Sequence, residues 1–370
     1  MPYPKGRVAA FLSRAKLLPL DIYLEYFRPK DFSSNFLQLL SDHIGHLRHL
    51  RIDAKATGLT MALEYISLRP MPLLESIDLN CGYEDILCFY EPLSPFGVPR
   101  LTTARLGYLD IKSLHRCIPA FASLISLQLK CIFHPKYSDF RGVLMALPSL
   151  RHLELYVVKF NIPSPPTHLP ILLPHILHLH VQGNGSECTP AIYNLLSCIQ
   201  AENLVALSLP MSTDKVPTTL NAHAFEPHFP SLQHLLLNSG AHSVADLSAF
   251  AWSFPDIRRL TFEPAEGANI DIHQLLGILI RGAGDGDTAE NNARSGLLWP
   301  ELQSIAFATS IEHLHVPRLK STILQLQAAG HPISKLLLLE KVHAAMVEVG
   351  EIIEIEEYYV DWPTTFEQRN

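Results

Sequence analysis

Residues 147–155 read Leu-Pro-Ser-Leu-Arg-His-Leu-Glu-Leu. The final six residues carry Leu150, Leu153 and Leu155, so the stretch closes on an alternation of apolar and polar side chains. A period of two sends Leu153 and Leu155 to one side of an extended chain and His152 and Glu154 to the other. Just ahead, Phe140, Val143, Leu144 and Leu147 are spaced three and four apart, which builds one apolar helical face. Ser138 or Asp139 is placed to cap that helix. Pro148 then stops it, because proline cannot continue a helix. The residues thus dictate an order of helix, proline, strand.

Working outward, the pattern L-x-x-L-x-L recurs along the chain. Copies before it are Leu47/Leu50/Ile52, Leu74/Ile77/Leu79, Leu101/Ala104/Leu106 and Leu124/Leu127/Leu129. Copies after it are Ile176/Leu179/Val181, Leu204/Leu207/Leu209, Leu232/Leu235/Leu237, Ile257/Leu260/Phe262, Leu302/Ile305/Phe307 and Ile333/Leu336/Leu338. Leu17/Leu20/Ile22 reads as a first copy and Ile353/Ile355 as a last strand. From Leu47 to Ile257 the first positions lie 23 to 28 residues apart, inside the roughly 20–29-residue period of leucine-rich repeats. Further helical stretches fall at 31–43, 243–254 and 271–280, and Pro72, Pro99, Pro174, Pro230, Pro255 and Pro300 precede strands as Pro148 does.

The expected fold is therefore an α/β leucine-rich-repeat solenoid: a horseshoe with parallel strands on its concave face and helices on its convex face. Three buried aliphatics contribute about 5–8 kcal/mol per repeat, whereas ordering the backbone costs roughly 1–2 kcal/mol per residue. No single repeat can fold alone, and the stack folds as a unit. The expected organisation is a lead over 1–16, a repeat array over 17–339 and a capping segment over 340–370. The rhythm breaks once, between Ile257 and Leu302, where Arg281–Gly296 (RGAGDGDTAENNARSG) reads as a flexible solvated insertion. Asp285 and Asp287 flank a glycine there, without the spacing or closing Glu of a calcium-binding EF-hand loop.

Composition narrows the function classes. Hydrophobic residues make up 48% of the 370 and charged residues 18%, as in an ordered protein with a large core. A net charge of -7, with Lys and Arg scattered, argues against nucleic acid as a partner. The six cysteines form no C-x-x-C pair, which points to free thiols in a reducing compartment and away from a zinc knuckle. The first residues are interrupted by Arg14, Lys16, Pro19 and Asp21, unlike a signal peptide. No run approaches the ~20 apolar residues of a membrane span. The expectation is a cytoplasmic or nuclear protein without a membrane partner.

The register of the repeat also aligns its polar positions. One row is His49, Ser76, Thr103, Ser126, His152, His178, Ala206, His234, Arg259, Ser304 and Lys335. A second is Arg51, Asp78, Arg105, Gln128, Glu154, His180, Ser208, Leu236, Thr261, Ala306 and Leu337. With strands about 4.8 Å apart, such rows form a continuous surface, and concave solenoid faces are where partners dock. The candidate partner-binding residues are His49, Arg51, Asp78, Arg105, Gln128, His152, Glu154, His178, His180, His234 and Arg259. Among the 19 histidines, His175, His178 and His180 are the tightest group, but no acidic or Cys ligand is near in sequence. A solvent-facing polar strand face accounts for His178 and His180 without a metal. No nucleophile–base pair, phosphate-cradling glycine loop or HExxH motif is present, so neither a cofactor nor an enzymatic activity is expected. The alternatives are a GTPase-regulating solenoid, for which no single Arg stands out, and a histidine-based metal hydrolase.

Residues 12–52 resemble the start of the leucine-rich region in fungal F-box proteins. The resemblance lies in Pro19-Leu20-Asp21-Ile22, in His43–Leu50 (HIGHLRHL), in the P-x-L-x-x-L-x-L repeats and in a closing acidic strand over Ile352–Tyr359. It implies a substrate receptor for a ubiquitin ligase, with a protein substrate on the concave face and a Skp-type adaptor and cullin as partners if an F-box lies upstream. Leu18–Phe27 superficially fits the opening of an F-box. The Leu47 repeat follows after one helix, too soon for the F-box bundle, so this segment reads as the first strand.

Overall fold

Many repeats enter their strand through a reverse turn, and in several of them a proline initiates it. In the computed structural model, the first-leucine N–H donates to the carbonyl three residues back, as in Leu101 to Val98 (3.1 Å), Leu150 to Leu147 (3.3 Å) and Leu302 to Trp299 (3.0 Å). Pro99, Pro148 and Pro300 occupy the second position of these turns, where the fixed proline φ is already correct. The helices have ended before that point; Tyr137–Met145 stops three residues before Pro148. The prolines therefore shape the turn more than they terminate the helix.

The described residues are 5–15, 18–27, 33–82, 85–133, 135–159, 169–183, 189–210, 225, 227–238, 244–263, 272–281, 297–307, 315–359, 362–363 and 366. The chain divides into two units, Met1–Ile176 with Pro363–Asn370, and Leu177–Trp362.

In the first unit, six strands pair in parallel in chain order: β1 Leu20–Phe27, β2 Leu47–Ala54, β3 Ser76–Asn80, β4 Thr103–Gly107, β5 Ser126–Phe133 and β6 His152–Lys159. Leu20–Phe27 is thus a sheet strand bonded to Leu47–Ala54, the position expected for a first repeat. Helices Ser34–His43, Ala56–Ile66 and Tyr137–Met145 cover the leucine side with Leu37, Leu40, Leu59, Ile66, Phe140 and Leu144. Ser138 and Asp139 do not cap the last of these. Its N-cap is Lys136, and Asp139 lies in the first turn, where a carboxylate opposes the positive end of the helix.

The second unit repeats the arrangement with seven parallel strands: β7 His178–Gly183, β8 Ala206–Pro210, β9 His234–Asn238, β10 Arg259–Glu263, β11 Ser304–Phe307, β12 Lys335–Leu338 and β13 Glu354–Glu357. Its larger helices are Thr189–Cys198, Val244–Ser253, Ile272–Arg281 and Val316–Ala328. Despite the long interval in sequence, β10 and β11 pair directly, Arg259 opposite Ser304. Of the expected insertion, Arg281 ends a helix and 282–296 lie outside the described residues. Phe262 and Phe307 stand where leucines stand elsewhere, and their rings stack at 5.2 Å.

The leucine positions form the core of both units: all three apolar residues of every copy from Leu47 to Leu338 are at most 4% exposed. An extra rung tightens most junctions within each unit. There the residue before the strand donates to its counterpart one repeat earlier, as in Thr102 to Glu75 (3.0 Å), Ile125 to Thr102 (2.8 Å), Gln233 to Val205 (3.1 Å) and Ser334 to Gln303 (2.9 Å). The main chain is thus hydrogen-bonded before the strand begins, which fixes the register that the side chains inherit.

Candidate functional site

Opposite the helices, the non-leucine positions of the strands form rows of side chains. In the first unit, His49, Ser76, Thr103, Ser126 and His152 stand opposite one another, as do Arg51, Asp78, Arg105, Gln128 and Glu154. In the second, His178, Ala206, His234, Arg259, Ser304 and Lys335 form one row, and His180, Ser208, Leu236, Thr261, Ala306 and Leu337 the other.

Polar contacts run along the rows of the first unit. His49 Nδ1 lies 2.7 Å from Ser76 Oγ. Asp78 is shared by Arg51 (3.6 Å) and Arg105 (3.5 Å), and Arg51 also reaches Glu25 (3.5 Å). Burial pushes the Asp78 carboxyl above the usual carboxylate range even though both arginines oppose that shift. Gln128 donates to Glu154, whose other oxygen lies 2.9 Å from His152 Nε2. A third row, two residues further along, consists of Asp53, Asn80, Gly107, Lys130 and Tyr156. There Asn80 donates to Asp53 (3.2 Å), and Lys130 lies 5.5 Å from the centre of the Tyr156 ring. Gly107 leaves space that a Cβ would take from Asn80. The same alternation that yields the first two rows also specifies this one, one residue beyond the last leucine of the pattern.

The second unit is less polar. Leu236, Ala306 and Leu337 are buried in its second row. His180 Nδ1 is 2.8 Å from Ser208 Oγ, and His234 Nε2 is 2.9 Å from Thr261 Oγ1. Burial, followed by the charge of Arg259, pulls the His234 imidazole down to about 3, so it is neutral at physiological pH. Lys335 pairs with Glu354 (3.3 Å) and Glu356 on the last strand.

Two features depart from an open, solvated face. Gln128, His152, Glu154, His180 and His234 are buried, whereas His49, Arg51, Asp78, Arg105, His178 and Arg259 are partly accessible. In-register stacking at sheet spacing closes each side chain against its neighbours. The second feature is the C-terminal segment, which places aromatic rings on these rows. In the first unit, Phe366 packs 5.3 Å from His152 and 5.6 Å from the Arg105 guanidinium, and Arg105 donates to the Phe366 carbonyl. In the second, Trp362 sits edge-on to His178 (5.6 Å) and His180 (6.0 Å), and the Arg259 guanidinium lies 4.4 Å from the Tyr359 ring centre.

No protein-family model matches the chain, and no curated protein matches it. Among solved structures, the leucine-rich repeat-containing protein LegL7 from Legionella pneumophila is similar at 15% identity, over 78% of this chain and 90% of that one, with a TM-score of 0.43. The parallel strand register and the buried leucines define the repeat fold. Among the described residues, no group of three or more His, Cys, Asp or Glu side chains is arranged to hold a metal ion. Among the same residues, no helix is long and apolar enough to cross a membrane.

Proposed function

We propose that the chain is a non-enzymatic protein-binding module whose strand face receives a protein partner. The observation that supports this reading is the in-register rows of Arg, Asp and His side chains within each unit, on the face that the helices leave uncovered. Arg51, Asp78, Arg105 and Arg259 supply charge of both signs on rigid strands, an arrangement suited to specificity at an interface. Their positions are set by main-chain pairing, so binding would require little ordering of the receptor.

The finer reading is that of a substrate receptor in a Skp–cullin ubiquitin ligase. Its support is the resemblance of His43–Leu50 and of the repeats to fungal F-box proteins. Affinity purification of the full chain tests both readings, with each recovered protein then titrated against wild type and an Arg51→Glu/Arg259→Glu variant. The expected outcome is at least tenfold weaker binding of a directly bound partner by the variant, compared at a temperature where thermal unfolding shows both proteins folded. Equal affinity would reject the strand face as the binding surface. Recovery of a Skp-type adaptor and a cullin supports the ligase reading, and a partner recovered without them restricts the function to binding.

A further inference from the structure

The same two-part contact occurs twice between the strand faces and the C-terminal segment. Arg259 places its guanidinium 4.4 Å from the Tyr359 ring centre and donates to the carbonyl of that same residue at 2.7 Å. Arg105 does the same to Phe366, with ring contact at 5.6 Å and a hydrogen bond to the Phe366 carbonyl. Each arginine thus holds both the ring and the main chain of one aromatic residue. A planar guanidinium suits this task, since its face attracts a ring while its edge N–H groups remain available to an oxygen. The carbonyl bond contributes no side-chain specificity; the ring contact supplies it.

In the second unit, Trp362 also meets His178 edge-on. Tyr359, Trp362 and Phe366 are three and four residues apart in a segment that is acidic before them, Glu354 to Glu357. Phe366 is 8% exposed, so this is a seated side chain and not a surface graze. The arginines lie on different rows and in different units, so one repeat-encoded regularity does not generate both contacts.

We propose that the strand faces of the two units each recognise protein segments bearing aromatic side chains, clasped by Arg105 in the first unit and by Arg259 in the second, and that Phe366 in the first and Tyr359 and Trp362 in the second are resident occupants which a partner must displace. This deepens the protein-binding reading above and rests on it for the partner. A tethered occupant competes at an effective concentration of roughly millimolar for a short linker. A free segment of equal intrinsic affinity is therefore excluded until the resident one is weakened or outmatched.

The test uses a fluorescein-labelled synthetic peptide of residues 354–370 as the probe. It is titrated against the full-length wild type and full-length Tyr359→Ala/Trp362→Ala/Phe366→Ala, with far-UV circular dichroism and strand amide exchange confirming the fold of each. The peptide is expected to bind the variant at least tenfold more tightly than wild type. Adding Arg105→Lys/Arg259→Lys, which keeps charge but loses the planar fork, should reverse that gain by tenfold or more. Equal affinity for wild type and variant, binding to neither, or indifference to the arginine changes would overturn the proposal. A partner captured by the strand face with the same affinity for wild type and Tyr359→Ala/Trp362→Ala/Phe366→Ala would reject displacement while leaving the protein-binding reading intact. Peptide binding in the expected pattern, with no partner sensitive to Arg51→Glu/Arg259→Glu, would reject the protein-partner reading alone.

Discussion

His234 is held neutral inside the second unit, and this makes stability fall with acid in a calculable way. Its imidazole is buried, hydrogen-bonded to Thr261 at 2.9 Å and pulled down to about 3 first by burial and then by Arg259. In the unfolded chain the same group titrates near 6.5. As pH drops below 6.5 the unfolded state therefore gains a proton that the folded state refuses, and stability is lost until the folded pKa is reached. Above 6.5 the penalty is absent. Between pH 7 and pH 5 the loss from this one site is about 2 kcal/mol. At pH 5 that figure hardly depends on the folded value, because the folded imidazole is unprotonated in any case. His234→Gln removes the titration while offering Thr261 an amide donor. Urea unfolding of both proteins at pH 7 and pH 5 should show wild type losing about 2 kcal/mol more than the variant. In parallel, the His234 ring proton resonance should stay flat from pH 7 to pH 4.5. A ring midpoint near 6.5, or equal losses in the two proteins, would refute the reasoning.

Other consequences follow from burial. Leu153 is fully buried between repeats, so Leu153→Asp places an unpaired charge in the core; a loss of about 4 kcal/mol or more is expected by urea unfolding. Trp299 is 1% exposed and its Nε1 donates to the Phe254 carbonyl at 2.9 Å, so Trp299→Phe leaves that oxygen unsatisfied. A loss of about 2–3 kcal/mol is expected in the same assay. Burial pushes the Cys81 and Cys117 thiols up to about 12. Alkylation of both at pH 8 should be about a thousandfold slower in the folded protein than in urea, read by mass spectrometry.

What could be read from the sequence follows from the range of each interaction. The leucine pattern is local: Leu153 and Leu155 sit on one side of the strand because two residues separate them. The repeat then carries that local order into the sheet, which is why His49 faces Ser76 and Arg259 faces Ser304 as the pattern requires. The proline positions were legible but their role was not. An L-P-x-L stretch is equally consistent with a helix stop and with a turn start, and only the Leu150-to-Leu147 bond distinguishes them. The C-terminal contacts had no local signature at all. Arg105 and Phe366 are 261 residues apart, and Arg259 and Tyr359 are 100 apart. No periodicity links such pairs.

The burial of the rows changes what a mutation on this face reports. Gln128, His152 and Glu154 contact one another across β5 and β6 while being almost inaccessible. Removing any one of them strips a partner from a buried polar group, a loss of about 1–3 kcal/mol to folding before any partner is considered. His180 with Ser208 and His234 with Thr261 stand in the same position. His49, Arg51, Asp78 and Arg259 keep part of their surface open, so charge reversal at Arg51 or Arg259 alters recognition with less damage to the stack. A binding defect from the buried set therefore carries information only alongside a measured stability. A defect from the open set bears on the interface directly, and for this reason the variants chosen to test partner binding come from the latter.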